Sequence, residues 1–190
     1  MPNITKDKAI TVNEKTWWVN SAGSGLLTNS IKAMINQVDA MLSHHSKIHL
    51  IRFDLRLYEY TETNKIITVF NRKLFKWLKR KYNLKRIGFI WCRELETARQ
   101  QHYHYAVMID GHKANYPCVI NDKIKDIWQQ LDGSAYFPAH CYYNMERNDF
   151  RSIQAAIWRI SYLAKNRGKG YKPAQTKNYG ASRIRLKYIN

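Results

Sequence analysis

The chain has 190 residues, 45% of them hydrophobic, and carries 32 Lys+Arg against 14 Asp+Glu, a net charge of +18. That composition excludes a disordered chain, and the length suits one domain with a sizeable core. No apolar run approaches the ~20 residues of a membrane span, and the surplus of cations favours a polyanionic partner, nucleic acid above an anionic membrane.

Residues 1–25 are polar, end in "SAGSG" and lack the apolar stretch of a signal peptide; they read as an N-terminal arm. A helix is expected at 26–44, where Leu27, Ile31, Met34, Ile35, Val38, Met41 and Leu42 recur at three- and four-residue steps. A strand follows at 47–58. His49, Ile51, Phe53, Leu55 and Leu57 make its mostly apolar odd face; Arg52, Asp54, Arg56 and Tyr58 make a polar even face. The helix expected at 65–82 buries Ile67, Phe70, Leu74, Trp77 and Leu78, and leaves Arg72, Lys73, Lys76, Lys79 and Arg80 around the rest. Two strands, 86–95 and 101–110, are joined by a short link and predict an antiparallel hairpin. A helix at 121–131, a strand at 139–145, a helix at 149–165 and a basic tail from 167 complete the chain. From its first strand the order is βαββαβα, which predicts an α+β, ferredoxin-like sandwich with a central antiparallel sheet over residues 26–166.

The basic residues cluster. Residues 72–86 hold eight Lys or Arg and no acid, and so do residues 165–190. Thirteen tyrosines and six tryptophans accompany them, suited to stacking on unpaired bases, although most of the tyrosines read as core. Backbone affinity is expected from Arg52, Arg56, Arg72, Lys73, Lys76, Lys79 and Arg80, and from Lys169 and Lys172 in the tail. Three cysteines, Cys92, Cys118 and Cys141, have no metal-type spacing and cannot all pair, so a reducing cytoplasm is expected.

The stretch "HYHYAVMID" sets His102 and His104 on one face of a strand. Such a pair can hold a metal, hold a phosphate or lie at the surface. Glu94, eight residues earlier on the hairpin partner, supplies a third ligand, with Glu96 on the same face as the fallback. Two imidazoles and a carboxylate with open positions suit Mn²⁺ or Mg²⁺, with Zn²⁺ the alternative. Further on, Tyr162 and Lys165 lie three apart, hence on one helical face. Beside a metal-bound phosphate the tyrosine can act as a nucleophile and the lysine can hold the phosphate. Read alone, the pair is a packed tyrosine and a solvated lysine.

Glu94, His102-Tyr103-His104 and Tyr162-Leu163-Ala164-Lys165, in that order, resemble the HUH endonuclease superfamily of rolling-circle replication initiators, relaxases and transposases. The nearer likeness is to the filamentous-phage (inovirus-type) replication proteins and the YagK/YfjJ C-terminal-domain family, carried by "RFDLRLY", "FIWCRELETARQQHYHYAVMIDG" and "WRISYLAKN". The resemblance implies a Rep-type palm, a metal on Glu94, His102 and His104, a nucleophile at Tyr162 and an accessory Lys165. No second tyrosine follows Tyr162 at one-turn spacing, and Tyr171 lies beyond a glycine-containing break, so a single-tyrosine enzyme is implied. Its expected activity is nicking and joining of single-stranded or hairpin DNA at an origin through a 5′-phosphotyrosine, with a host helicase and polymerase as partners. The rivals are a non-catalytic nucleic-acid-binding regulator and a metal nuclease that uses activated water.

Overall fold

A computed structural model describes residues 3–95, 101–169 and 173–187. Its centre is an antiparallel sheet. Strand β5 (Lys47–Leu57) lies beside β7 (Gln101–Asp110), β7 beside β6 (Gly88–Leu95), and β6 beside β10 (Tyr179–Ala181). Four helices stand around it among the described residues: α1 (Thr28–His44), α2 (Lys65–Tyr82), α3 (Cys118–Gln129) and α4 (Phe150–Ser161). None of these is long and apolar enough to cross a membrane. The chain is thus a mixed α+β fold.

Alternation along the strands sorts side chains into two cores. Odd-numbered residues Ile51, Phe53, Leu55, Tyr103, Tyr105 and Val107 pack with Phe70 and Leu74 of α2 and with Ile124 and Trp128 of α3. Even-numbered residues Ile48, Leu50, Ile90, Cys92, Ala106 and Met108 pack with α1 and α4. Those two helices cover only one end of that face. At the other end the even-numbered positions carry Arg52, Asp54, Glu94, His102 and His104, all buried except the partly exposed His102.

Two elements differ from the sequence expectation. The strand expected at 139–145 is split. β8 (Gly133–Tyr136) pairs with residues 54–57, and β9 (Tyr142–Glu146) pairs with residues 47–51 of the same edge. Residues 137–141 loop out between them, and the Cys141 carbonyl accepts from the Arg52 amide at 2.6 Å. "GSAY" looks like a turn, but Gly133 is there for space: a Cβ would lie 2.2 Å from Trp128 Nε1 and 2.4 Å from the Arg56 carbonyl oxygen. The helix expected through 165 ends at Ser161, and Tyr162–Ala164 continue as one 3₁₀ turn.

Both segments read as flanking arms carry structure. β1 (Ile4–Thr5) pairs with β4 (Leu26–Leu27), and β2 (Ala9–Val12) forms a hairpin with β3 (Lys15–Trp18) through Asn13 and Glu14, both at positive φ. Trp17, 1% exposed, stacks on Phe150 of α4 with ring centroids 5.1 Å apart. At the far end, β10 extends the sheet beyond β6, and Ser182 and Ile184 bond to the side chain of Gln37 on α1.

The hairpin therefore belongs to the folding unit. Trp17→Ala should cost about 3–5 kcal/mol, seen as a lower urea midpoint. A change within about 0.5 kcal/mol would make residues 9–18 a dispensable appendage.

Candidate metal centre

Strand register builds the centre. Glu94 of β6 lies opposite His102 of β7, and Cys92 lies opposite His104. On the other side of β7, Asp54 of β5 lies opposite His104, and Arg56 lies opposite His102. Cross-strand neighbours are about 4.5–5.5 Å apart at Cβ, so the pairing delivers these groups onto one patch. A one-residue slip would send them to the opposite core.

Glu94 binds in three directions. Its Oε2 is 2.9 Å from His104 Nε2 and 3.4 Å from His102 Nε2, and its Oε1 is 2.6 Å from the Lys169 ammonium. Burial pushes the Glu94 carboxyl up, but the two imidazoles and the charges of His104 and Lys169 hold it well below the usual carboxylate range. His104 is bonded on both ring nitrogens, its Nδ1 lying 2.5 Å from Asp54 Oδ1. Burial lowers its pKa, yet the two carboxylates outweigh that and raise it. Asp54 also pairs with Arg52 at 3.0 Å. Burial raises the Asp54 carboxyl, and His104 and Arg52 reverse that and lower it.

Glu94, His102 and His104 each offer a ligand atom, and these atoms lie within 4.8 Å of one another. The group can hold a metal ion, and the surroundings fit one. Asp54 Oδ1 accepts a hydrogen bond from His104 Nδ1 and leaves Nε2 facing Glu94, the carboxylate–histidine arrangement that orients a ligand ring. Glu96, the fallback ligand, lies outside the described residues, as do Tyr171 and Lys172.

Tyr162 stands over the centre. Its ring is edge-on to His104 with centroids 5.2 Å apart, and the Arg52 guanidinium carbon lies 5.6 Å from its centroid. Tyr162 is 37% exposed, so it is partly open to solvent. Burial and the charge of Glu94 raise the phenol pKa, with Arg52 opposing.

Several expected roles change. Lys165 does not reach the centre: its ammonium bonds to the Ala22 carbonyl and, at 3.2 Å, to Asn20 Oδ1. It ties the Tyr162 turn to the N-terminal segment, together with the Asn166 amide on the Gly25 carbonyl at 3.1 Å. The lysine at the centre is Lys169, expected as a DNA contact but 7% exposed and ion-paired. Gly168, at φ +67°, makes the turn that brings it there. Arg52 is likewise no surface contact, being 6% exposed and paired with Asp54. Arg56 is exposed. Arg72, Lys73, Lys76, Lys79 and Arg80 are exposed on α2, which covers the opposite face of the sheet from the centre. Asp54 was missed as a site residue, although its even position beside Arg52 was the available signal. Lys169 had none, since a turn across a glycine brings it in.

Residues 9–182 match the family model described as the YagK/YfjJ C-terminal domain. No curated protein and no solved structure matches.

Metal binding must displace the proton of a His104 whose pKa is raised, so Mn²⁺ affinity measured by calorimetry should climb as pH rises from about 5.5 to 8. His104→Ala should abolish binding, and Asp54→Asn should weaken it about 10–100-fold. Lys169→Met removes a like charge beside Glu94 and should tighten binding about tenfold. Weaker binding in that variant would make Lys169 a support for the centre rather than a competitor.

Stability follows the same groups. The contributions of Asp54 and Glu94, with lowered pKa values, are present above their unfolded values of about 4 and are lost as pH falls through the folded ones. The contribution of His104, with a raised pKa, is complete below about 6.5 and is lost as pH rises through the folded value. With chelator, Tm should peak between about pH 5 and 6.5. A peak above pH 8 would contradict the charge state assigned to His104.

Proposed function

The chain belongs to the YagK/YfjJ C-terminal domain family, and on that premise we propose that it nicks and rejoins single-stranded DNA through a tyrosine, in the manner of an HUH endonuclease. The observation that carries this reading is Tyr162, partly open to solvent and set 5.2 Å from the His104 ring of a Glu–His–His group. The strand order β6-β7-β5, with β8 and β9 on the far edge of β5, supports reading the sheet as a ferredoxin-like, Rep-type palm.

Glu94, His102 and His104 would hold a divalent ion, Mn²⁺ or Mg²⁺, which when bound would polarise a phosphate oxygen and offset charge developing on it. The chain's residues do the rest. The Tyr162 oxygen attacks the phosphorus and forms a new P–O bond, its proton passing to water. The P–O3′ bond breaks, and the departing 3′ oxygen takes up a proton. The DNA 5′ end is left on Tyr162, and the free 3′-OH can prime synthesis. Return attack by a 3′-OH reverses the exchange, so no nucleotide cofactor is needed. Arg52, beside the Tyr162 ring, offsets negative charge on the phenol oxygen. Lys165 is a positioning residue that holds the turn carrying Tyr162.

The cations of α2 lie across the sheet from this chemistry and serve general backbone affinity, which carries no base information. Such a protein would initiate rolling-circle replication of a phage, plasmid or mobile element in a bacterial cytoplasm, with the host's helicase and polymerase.

Mixed with Mn²⁺ and a panel of single-stranded origin oligonucleotides, the protein should form an adduct that survives a denaturing gel. Tyr162→Phe should bind Mn²⁺ and DNA normally and form none. Cleavage by Tyr162→Phe without an adduct would favour activated water as the nucleophile. DNA binding by the parent protein with neither cleavage nor adduct would favour a regulator. Lys165→Ala should form the adduct at least tenfold more slowly with Mn²⁺ affinity unchanged, because it loosens the Tyr162 turn and leaves the ligands alone.

A further inference from the structure

A second concavity, of about 950 Å³, opens between the start of α1 and the C-terminal segment 174–183. The metal centre does not account for it. Among the described residues its lining holds no carboxylate, whereas Lys169, Lys177 and Arg183 all contribute. The first turn of α1 forms part of the wall through Asn29 and Ser30. That helix has no side-chain cap and no acidic residue in its first turn; the Asn3 carbonyl accepts from the Thr28 amide at 2.9 Å, and no side-chain charge offsets the positive end of the dipole there.

A helix end alone is common, but this one has an unsatisfied neighbour. Ser30 is 2% exposed and its hydroxyl has no partner, and Asn178 Oδ1 on the facing wall is also buried without one. Buried polar atoms are nearly always bonded, and an orphan that lines a groove marks a place for a ligand atom. The hydroxyl, the helix end and the two exposed cations Lys177 and Arg183 together suit the phosphate groups of a ligand. The amides of Asn166 and Asn178 offer donors and acceptors to the sugar and base that accompany a phosphate in a nucleic acid.

We propose that this groove binds the backbone of single-stranded nucleic acid and leads it to the metal centre. The direction of the path rests on the nicking reading; the binding of the strand does not. The link between the two places is Lys169, which lines the groove and also lies 2.6 Å from Glu94. Asn166, four residues after Tyr162, lines it as well. A strand in the groove would therefore pass Lys169, the direct neighbour of Glu94.

The test compares the parent protein with Lys177→Glu/Arg183→Glu by fluorescence anisotropy, using a labelled twelve-nucleotide oligothymidylate without metal. Both side chains are exposed, and Mn²⁺ calorimetry checks that the centre is intact. The variant should lose at least tenfold in affinity at low salt, and its log–log salt slope should fall by about 1.4, the share of two phosphates on a single strand. Ser30→Ala should weaken binding severalfold with no change in slope, since it removes a bond and no charge. Unchanged affinity and slope in the charge variant would overturn the proposal. So would thymidine monophosphate binding as tightly as the oligomer, which would make the groove a mononucleotide pocket. If the variant loses oligomer binding and the parent forms no DNA adduct, the groove stands as a nucleic-acid site and the nicking reading falls.

Discussion

A carboxylate that is 3% exposed must find partners to replace its water, and Glu94 finds three. One oxygen faces His102 and His104; the other faces the ammonium of Lys169. The partners come from two levels of the structure. The histidines come from strand register, and Lys169 from a turn at Gly168 after the last helix. If any partner moved away, a buried charge would be left under-compensated, so this carboxylate ties the sheet to the segment that carries Tyr162. Lys169 brings positive charge to Glu94 at the place where a divalent ion would also bring it.

The two ends of the chain have a job in this arrangement. Residues 20–26 clamp the turn after α4 through Lys165 and Asn166, and the β2–β3 hairpin holds α4 itself through Trp17 on Phe150 and through Gln154, whose side chain bonds both backbone groups of Trp18. The C-terminal strand extends the sheet at β6, the strand that carries Glu94. In the proposed reaction a nucleophile on a single 3₁₀ turn would need such bracing, because a catalytic group misplaced by about 1 Å can cost 10²-fold in rate.

Much of this was legible in the sequence where physics acts locally. The period of α1 and α2, the alternation of β5 and the shared face of His102 and His104 follow from geometry within one element. The Glu94–His102 pairing followed from a short hairpin. What was not legible depended on contacts between distant segments. Lys165 and Lys169 are both lysines just past a helix, and only the close approach of residues 20–26 and the positive φ at Gly168 send one to an anchor and the other to the carboxylate. Asp54 stood on the polar face in plain view, but its bond to His104 needed the β5–β7 register. The split fourth edge was hidden because Gly133 resembles a turn residue while serving as clearance for Trp128. The densest cationic run, on α2, lies on the face of the sheet opposite the centre, a placement that depends on which core the helix covers.

The account's central claim is that Glu94, His102 and His104 form a metal site beneath Tyr162. Anomalous diffraction from crystals soaked in Mn²⁺ tests it most directly. The expected map has one strong peak within about 2.0–2.4 Å of Glu94 and both Nε2 atoms, with the Lys169 ammonium withdrawn from Glu94 Oε1. A map with no peak there, His102 and His104 turned apart and Lys169 still on Glu94, would contradict it.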